Sequence, residues 1–336
     1  MTAAVVLQPG LPTGVGSLPY DDANAAAIAE LQLHPELPAA PQLPRRSSKE
    51  SMLAQVSAGM AGVGVRDDGR LTIERRSFGP GDTDAPLDDA AWGGTLAFLT
   101  AATGRKGTIK IQLTGPVTLG LALVDAGARA AKAFSVASET VQGRVQALVA
   151  SARERVPDAP IVLVLDEPSL ARAMHPGFPL VPEETVDLIS GSLATAASAG
   201  AAVHGVHCCG AVDWSLVLHA GPDLVSLPAV PESIDDAAAL SVFLDRGGWV
   251  AWGIVPTDRP FGDRYETHWH RLVDVWKGLT AGGCDPVRLR TQALLTPACG
   301  LAMHDESQVP VVMSLVRRVA ERVQDQAYAA RMSVGA

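Results

Sequence analysis

Cysteine is scarce in this chain, four residues in 336, and two of the four, Cys208 and Cys209, are adjacent. A disulfide scaffold needs a far denser set, so that class of small cross-linked fold is excluded. Long apolar runs are missing as well. The richest, Pro160 to Leu165, stops at Asp166 and Glu167, well short of the ~18 to 20 residues a membrane-spanning helix requires. Basic charge is in deficit, with 27 Lys plus Arg against 36 Asp plus Glu and a net charge of -9. A phosphate-tracking surface needs a positive field, which argues against nucleic acid as a partner. No Lys or Arg precedes the short apolar stretch of the N-terminal MTAAVVLQPGLPTGVGSLPY, so a secretory leader is not expected and the cytoplasm is the expected compartment. What is present, 47% hydrophobic and 19% charged residues, describes a globular chain able to bury a sizeable core.

Short β-like runs alternate with longer Ala-rich segments of helical spacing. The expected strands are Thr13 to Pro19, Thr108 to Gly115, Ile161 to Glu167, Ala202 to Cys209, Leu224 to Leu227, Trp249 to Val255 and Val287 to Thr296. The expected helices are Ala23 to Leu33, Ala130 to Val156, Pro182 to Ala199, Glu232 to Leu244, Asp263 to Ala281 and Glu306 to Ala330. Most strands are nearly continuous apolar runs, as parallel strands covered on both faces are. About eight β/α units fit the length and no Gly-rich dinucleotide fingerprint follows the first strand, so the pattern predicts an α/β chain folded as a (β/α)8 TIM barrel rather than an open doubly wound sheet. Seven strands are clear and the second is not. Arg66 to Phe78 reads as a small β-hairpin insertion turning at Asp68-Gly69. The proline-rich stretch Leu33 to Pro44 reads as a long loop covering the mouth. One barrel domain accounts for residues 1-336.

In such a barrel the C-terminal ends of all strands open on one face. Asp166 and Glu167 end one strand, His207 to Cys209 end the next, and Cys299 follows the last. Side chains alternate along a strand, so His207 and Cys209 share a face while Cys208 points away. Three N and S donors with one position left open describe a catalytic zinc site, with His207, Cys209 and Cys299 as ligands; the plainer reading is that these cysteines are buried packing residues. Cys284, in a turn leading into the last strand, belongs to the opposite face and reads as structural, and His204 reads as a satisfied core histidine.

Taken together, Thr13-Gly14-Val15-Gly16-Ser17-Leu18-Pro19, Leu113-Thr114-Gly115-Pro116-Val117-Thr118, Asp166-Glu167-Pro168-Ser169-Leu170, His207-Cys208-Cys209 and Thr296-Pro297-Ala298-Cys299-Gly300-Leu301 resemble the C-terminal catalytic barrel of cobalamin-independent methionine synthase. They occur in that family's order and span nearly the whole chain. The resemblance implies the fold shared with uroporphyrinogen decarboxylase and a zinc-dependent S-methyltransferase of the 5-methyltetrahydropteroyltriglutamate-homocysteine type, methylating the thiol of L-homocysteine to methionine. It further implies Zn2+ on His207, Cys209 and Cys299, Gly16 and Ser17 at the amino-acid carboxylate, and Asp166 as the catalytic carboxylate holding the ammonium; Glu167 faces away from Asp166 by alternation and reads either as a substrate-binding, catalytic carboxylate or as a packed one. The family's large N-terminal barrel has no counterpart in this sequence, which looks like a stand-alone core enzyme.

Two positions depart from the pattern. The family's further zinc ligand, a Glu ending the sixth strand, is matched by Pro228, with Glu232 as a substitute in the loop beyond. The family's proton-donating His after the seventh strand is matched by Val255. A methyl donor that leaves unprotonated is therefore favoured, a methylcorrinoid, free or carried by a partner protein, with methyltetrahydrofolate as the alternative donor. The competing readings are a uroporphyrinogen decarboxylase-like enzyme, for which Arg45-Arg46 is the suggestive cationic pair, and a degenerate barrel that binds metal or a partner without catalysis.

Overall fold

The computed structural model describes residues 7-334 apart from 84, 174 and 235. The first six residues, part of the N-terminal stretch considered above, lie outside the described residues. In chain order the elements are β1 (Leu11–Pro12), α1 (Ala23–Leu33), α2 (Met52–Ser57), β2 (Val63–Val65), β3 (Leu71–Ile73), α3 (Asp89–Ala101), β4 (Ile109–Thr114), α4 (Pro116–Asp125), α5 (Ala130–Arg155), β5 (Ile161–Asp166), α6 (Pro182–Ala199), β6 (Val203–His207), α7 (Trp214–His219), β7 (Leu224–Pro228), α8 (Ala237–Asp245), β8 (Trp249–Val255), α9 (Tyr265–Ala281), α10 (Pro286–Thr291), β9 (Ala293–Pro297) and α11 (Gln308–Val334). Seven strands form one parallel sheet in the order β1-β9-β8-β7-β6-β5-β4.

The gap between β1 and β4 is filled by residues 38-42. On one side Lys110 N–H donates to the Pro38 carbonyl at 2.9 Å and Ala40 N–H to the Lys110 carbonyl at 2.8 Å; on the other, Gln42 N–H reaches the Gly16 carbonyl at 3.1 Å and Leu18 N–H the Gln42 carbonyl at 3.0 Å. This short segment is the missing second strand, and it curls the sheet into a TIM-barrel-like fold. The expectation of a mouth-covering loop over Leu33 to Pro44 is thereby corrected. Prolines are tolerated here because each unmade donor lies outside the few rungs that close the barrel.

A second correction concerns Val287 to Thr296. Only its end is strand, because Asp285 accepts from Val287 N–H at 2.7 Å with Pro286 in the first turn, which starts the short helix α10. The hairpin is present as β2 and β3, antiparallel, with Gly69 at φ +79° in the turn.

Alternation divides the core in two. Ile161, Leu163 and Leu165 of β5 pack outward against the helices, whereas Val162 and Val164 join Leu11, Leu37, Leu224, Trp249 and Leu294 in a separate interior cluster. Each such fully buried Val or Leu contributes roughly 1.5 to 3 kcal/mol. Above that apolar plug the inward positions turn polar: Thr13, Lys110, Asp166, His207, Ser226 and Thr296 are all buried. Polar groups therefore gather at the strands' C-terminal ends, where a barrel of this kind carries chemistry.

Candidate metal centre

His207 ends β6 and lies in register with Asp166 of β5 on one side and Ser226 of β7 on the other. Its Nδ1 is hydrogen-bonded to Ser226 Oγ at 2.9 Å, while its Nε2 is buried without a partner. Fixing one ring nitrogen leaves the other free to ligate, which is how metal-binding histidines are oriented. Cys209 lies two residues on, and Cys299 two residues beyond β9; the ligand atoms of His207, Cys209 and Cys299 all lie within 4.8 Å of one another. A zinc ion with bonds of ~2.0 to 2.3 Å holds its ligand atoms roughly 3.3 to 3.8 Å apart, so a small contraction suffices. One imidazole nitrogen without a partner and two sulfurs fit zinc better than a hard oxygen-seeking cation.

The two sulfurs are hydrogen-bonded to each other. The Cys299 thiol donates to Cys209, which, with the neighbouring His207, holds the Cys209 thiol well below its ordinary value, while Cys299 is pushed up by Cys209 and by burial. Cys208 faces the other way, fully buried, with burial pushing its thiol up to about 12. Cys284 donates to the Ala237 carbonyl at 3.1 Å and is raised to about 11 by burial. Neither joins the group. Glu232 is exposed on the turn Pro231–Ser233, and Pro228 stands at the end of β7. Among the described residues no carboxylate completes the set.

Asp166 is 5% exposed and its Oδ1 has no partner. Burial raises its carboxyl to about 6, against the pull of His207 and Lys110. Because the folded value lies above the unfolded one, this group's contribution to stability is complete below about pH 4 and is lost as pH rises to about 6, at up to ~1.4 kcal/mol per pH unit. Urea unfolding of metal-free protein and of Asp166→Asn should give similar stabilities at pH 4, with the variant gaining on the wild type by pH 6.5; parallel pH curves would show that Asp166 titrates normally.

Ser17 lies at the same mouth, since its carbonyl accepts from Leu301 N–H at 2.7 Å, two residues after Cys299. Gly16 has φ +145°, and a Cβ there would collide with the Gln112 side-chain amide, so only glycine fits. Glu167 follows Asp166 at the same end of the barrel, but its side chain does not join the inward polar group. It is fully buried and accepts from Val117 N–H at 2.8 Å, Thr118 N–H at 2.7 Å and Thr118 Oγ1 at 2.6 Å, at the N-terminus of α4. Burial pushes its carboxyl up to about 7, opposed by those three hydrogen bonds. Its expected substrate-binding role is therefore corrected to the packed one. His204 is also no core residue: it is partly exposed and pairs with Asp223 at 2.6 Å. Arg46 is tied to Glu50 and, at 2.8 Å, to Asp89, so one member of the cationic pair that suggested an acidic tetrapyrrole substrate is already engaged. Ser226, Lys110 and Gln112 escape a reading by motif, although each is a polar residue at an inward position of an otherwise apolar strand.

No protein-family model matches the sequence, and neither does any curated protein. Solved structures do match. A B12-independent methionine synthase from Shewanella sp. W3-18-1, in complex with selenomethionine, superposes with a TM-score of 0.64 at 15% identity over 96% of this chain and 99% of that one. A provisionally assigned vitamin-B12-independent methionine synthase from Listeria monocytogenes gives 0.60 at 16% identity, over 90% and 85%. This chain shares their fold. No described helix is long and apolar enough to cross a membrane.

Proposed function

We propose that this chain, as a single barrel domain, is a zinc-dependent S-methyltransferase of the cobalamin-independent methionine synthase family, acting on L-homocysteine. The observation that carries the reading is the unpartnered His207 Nε2, held by Ser226 and facing two cysteine sulfurs at the mouth. The shared fold and the selenomethionine bound by the Shewanella protein support an amino-acid ligand of the methionine kind.

His207, Cys209 and Cys299 would hold the zinc, which when bound would supply the acidity needed to deprotonate a substrate thiol that is otherwise mostly protonated and weakly nucleophilic at neutral pH. The chain's own groups do the rest. Asp166, whose Oδ1 is buried without a partner in the polar layer at the strand ends, receives the ammonium of the amino acid. Ser17 and the amides beside it, on the turn opened by Gly16, receive the carboxylate. Val255 is buried at the end of β8 and has no proton to give, which favours a methylcorrinoid over methyltetrahydrofolate as donor.

Calorimetry of zinc-loaded protein with L-homocysteine should show binding with proton release, and methionine, whose sulfur carries no proton, should bind more weakly. Equal affinities for the two would count against direct sulfur coordination. In an assay of both donors at equal concentration the methylcorrinoid should turn over faster; efficient turnover with the folate alone would overturn the donor assignment.

A further inference from the structure

Strand β4 reads Ile109-Lys110-Ile111-Gln112-Leu113-Thr114, and alternation turns Lys110 and Gln112 into the barrel. Lys110 is 4% exposed. Asp166 on β5 and Glu30 on α1 act on its ammonium through space without an ion-pair contact, and burial lowers the amine to about 8. A buried charge without an ion pair is costly, and an apolar side chain of similar volume would avoid that cost.

What the amine does is hold main chain at the mouth. Of its three donors, one goes to the Val15 carbonyl at 2.7 Å and another to Gln112 Oε1 at 3.0 Å. Gln112 in turn donates to the Ala40 carbonyl at 2.5 Å and lies directly under Gly16. The Val15-Gly16-Ser17 turn thus rests from below on two polar side chains of one strand. Lys110 also lines the small interior cavity bordered by Gly14, Val15, His207, Ser226 and Thr296, so it lies beneath the turn and shares that cavity with one of the candidate ligands.

We propose that Lys110 and Gln112 are positioning residues for the carboxylate of the amino-acid substrate: they fix the turn that receives it, and the Lys110 ammonium adds positive potential beneath it. The inference rests on the assignment of that turn under Proposed function.

The test compares two thiols on zinc-loaded protein by calorimetry: L-homocysteine, and 3-aminopropane-1-thiol, which keeps the thiol and amine but lacks the carboxylate. Lys110→Met should weaken homocysteine about tenfold or more while changing aminopropanethiol less than about twofold, with zinc content retained. Lys110→Arg should recover part of the loss. Equal losses for both thiols, accompanied by a lower melting temperature, would reduce Lys110 to a structural role and overturn the proposal, as would no loss for either. Should Lys110→Met not fold, Gln112→Leu, which keeps the charge, carries the same comparison: a loss confined to homocysteine supports the proposal, and equal losses or none overturn it. Wild-type protein that binds neither thiol overturns the functional reading first, and this one with it.

Discussion

Cys209→Ala and Cys299→Ala are each expected to release the metal and to lower methyl transfer roughly a thousandfold or more. Their sulfurs and His207 Nε2 form the one group of its kind found among the described residues, so removing either sulfur leaves two donors, too few to hold zinc against water. A lost Lewis acid costs several kcal/mol of barrier, and each 1.4 kcal/mol is tenfold in rate. Cys208→Ala and Cys284→Ala are the controls. Both sulfurs are buried away from the group, so these variants should lose some packing stability and keep one equivalent of metal. Elemental analysis after gel filtration decides the matter. Metal that survives Cys209→Ala, or disappears with Cys284→Ala, would falsify the site.

Glu167→Ala should be the most destabilising single change in the neighbourhood, by about 3 to 5 kcal/mol, and it should act on folding rather than on ligand affinity. The carboxylate satisfies two main-chain N–H groups and one hydroxyl at the start of α4, where a helix leaves donors unpaired and favours negative charge. Removing it strands all three donors in the interior and opens a cavity. Glu167→Gln keeps the volume but turns an amide N–H toward donors, so a smaller loss is expected. Urea unfolding gives the stability, and calorimetry on the folded fraction gives the affinity. A variant of wild-type stability with weakened homocysteine binding would return Glu167 to the substrate.

The legibility of this fold from sequence follows the strength of its periodic signals. Strand β8 and helices α1 and α6 are readable to the residue, because apolar runs and helical spacing there are uninterrupted. Residues 38-42 are not, since prolines at 35, 38, 41 and 44 mask a strand that pairs through only a few rungs. The helix α10 reads as strand because its Val and Leu residues suit either state, and the capping Asp285 that decides between them is a local signal easily overlooked. At the mouth, alternation suffices to place His207 with Cys209 and to turn Cys208 away. It cannot say where Glu167 directs its charge, because the N-terminus of α4 is 50 residues away in sequence and meets it only in three dimensions. Ser226 lies within reach of the same alternation argument, two positions before Pro228 on the inward face.

Barrel closure also sets the order in which the molecule can mature. Gln112 reaches Ala40 across 72 residues, and Gln324 reaches Gly10 across 314, so the contacts that shut the cylinder are of very high sequence separation. Such contacts are the slowest to form, because the loop entropy is lost before they repay it. Cys299 follows the last strand, whereas His207 and Cys209 belong to the middle of the chain. A nascent or half-folded barrel therefore presents two of the three candidate ligands at most, so under the proposed zinc reading tight metal capture would be a late event that reports completed topology.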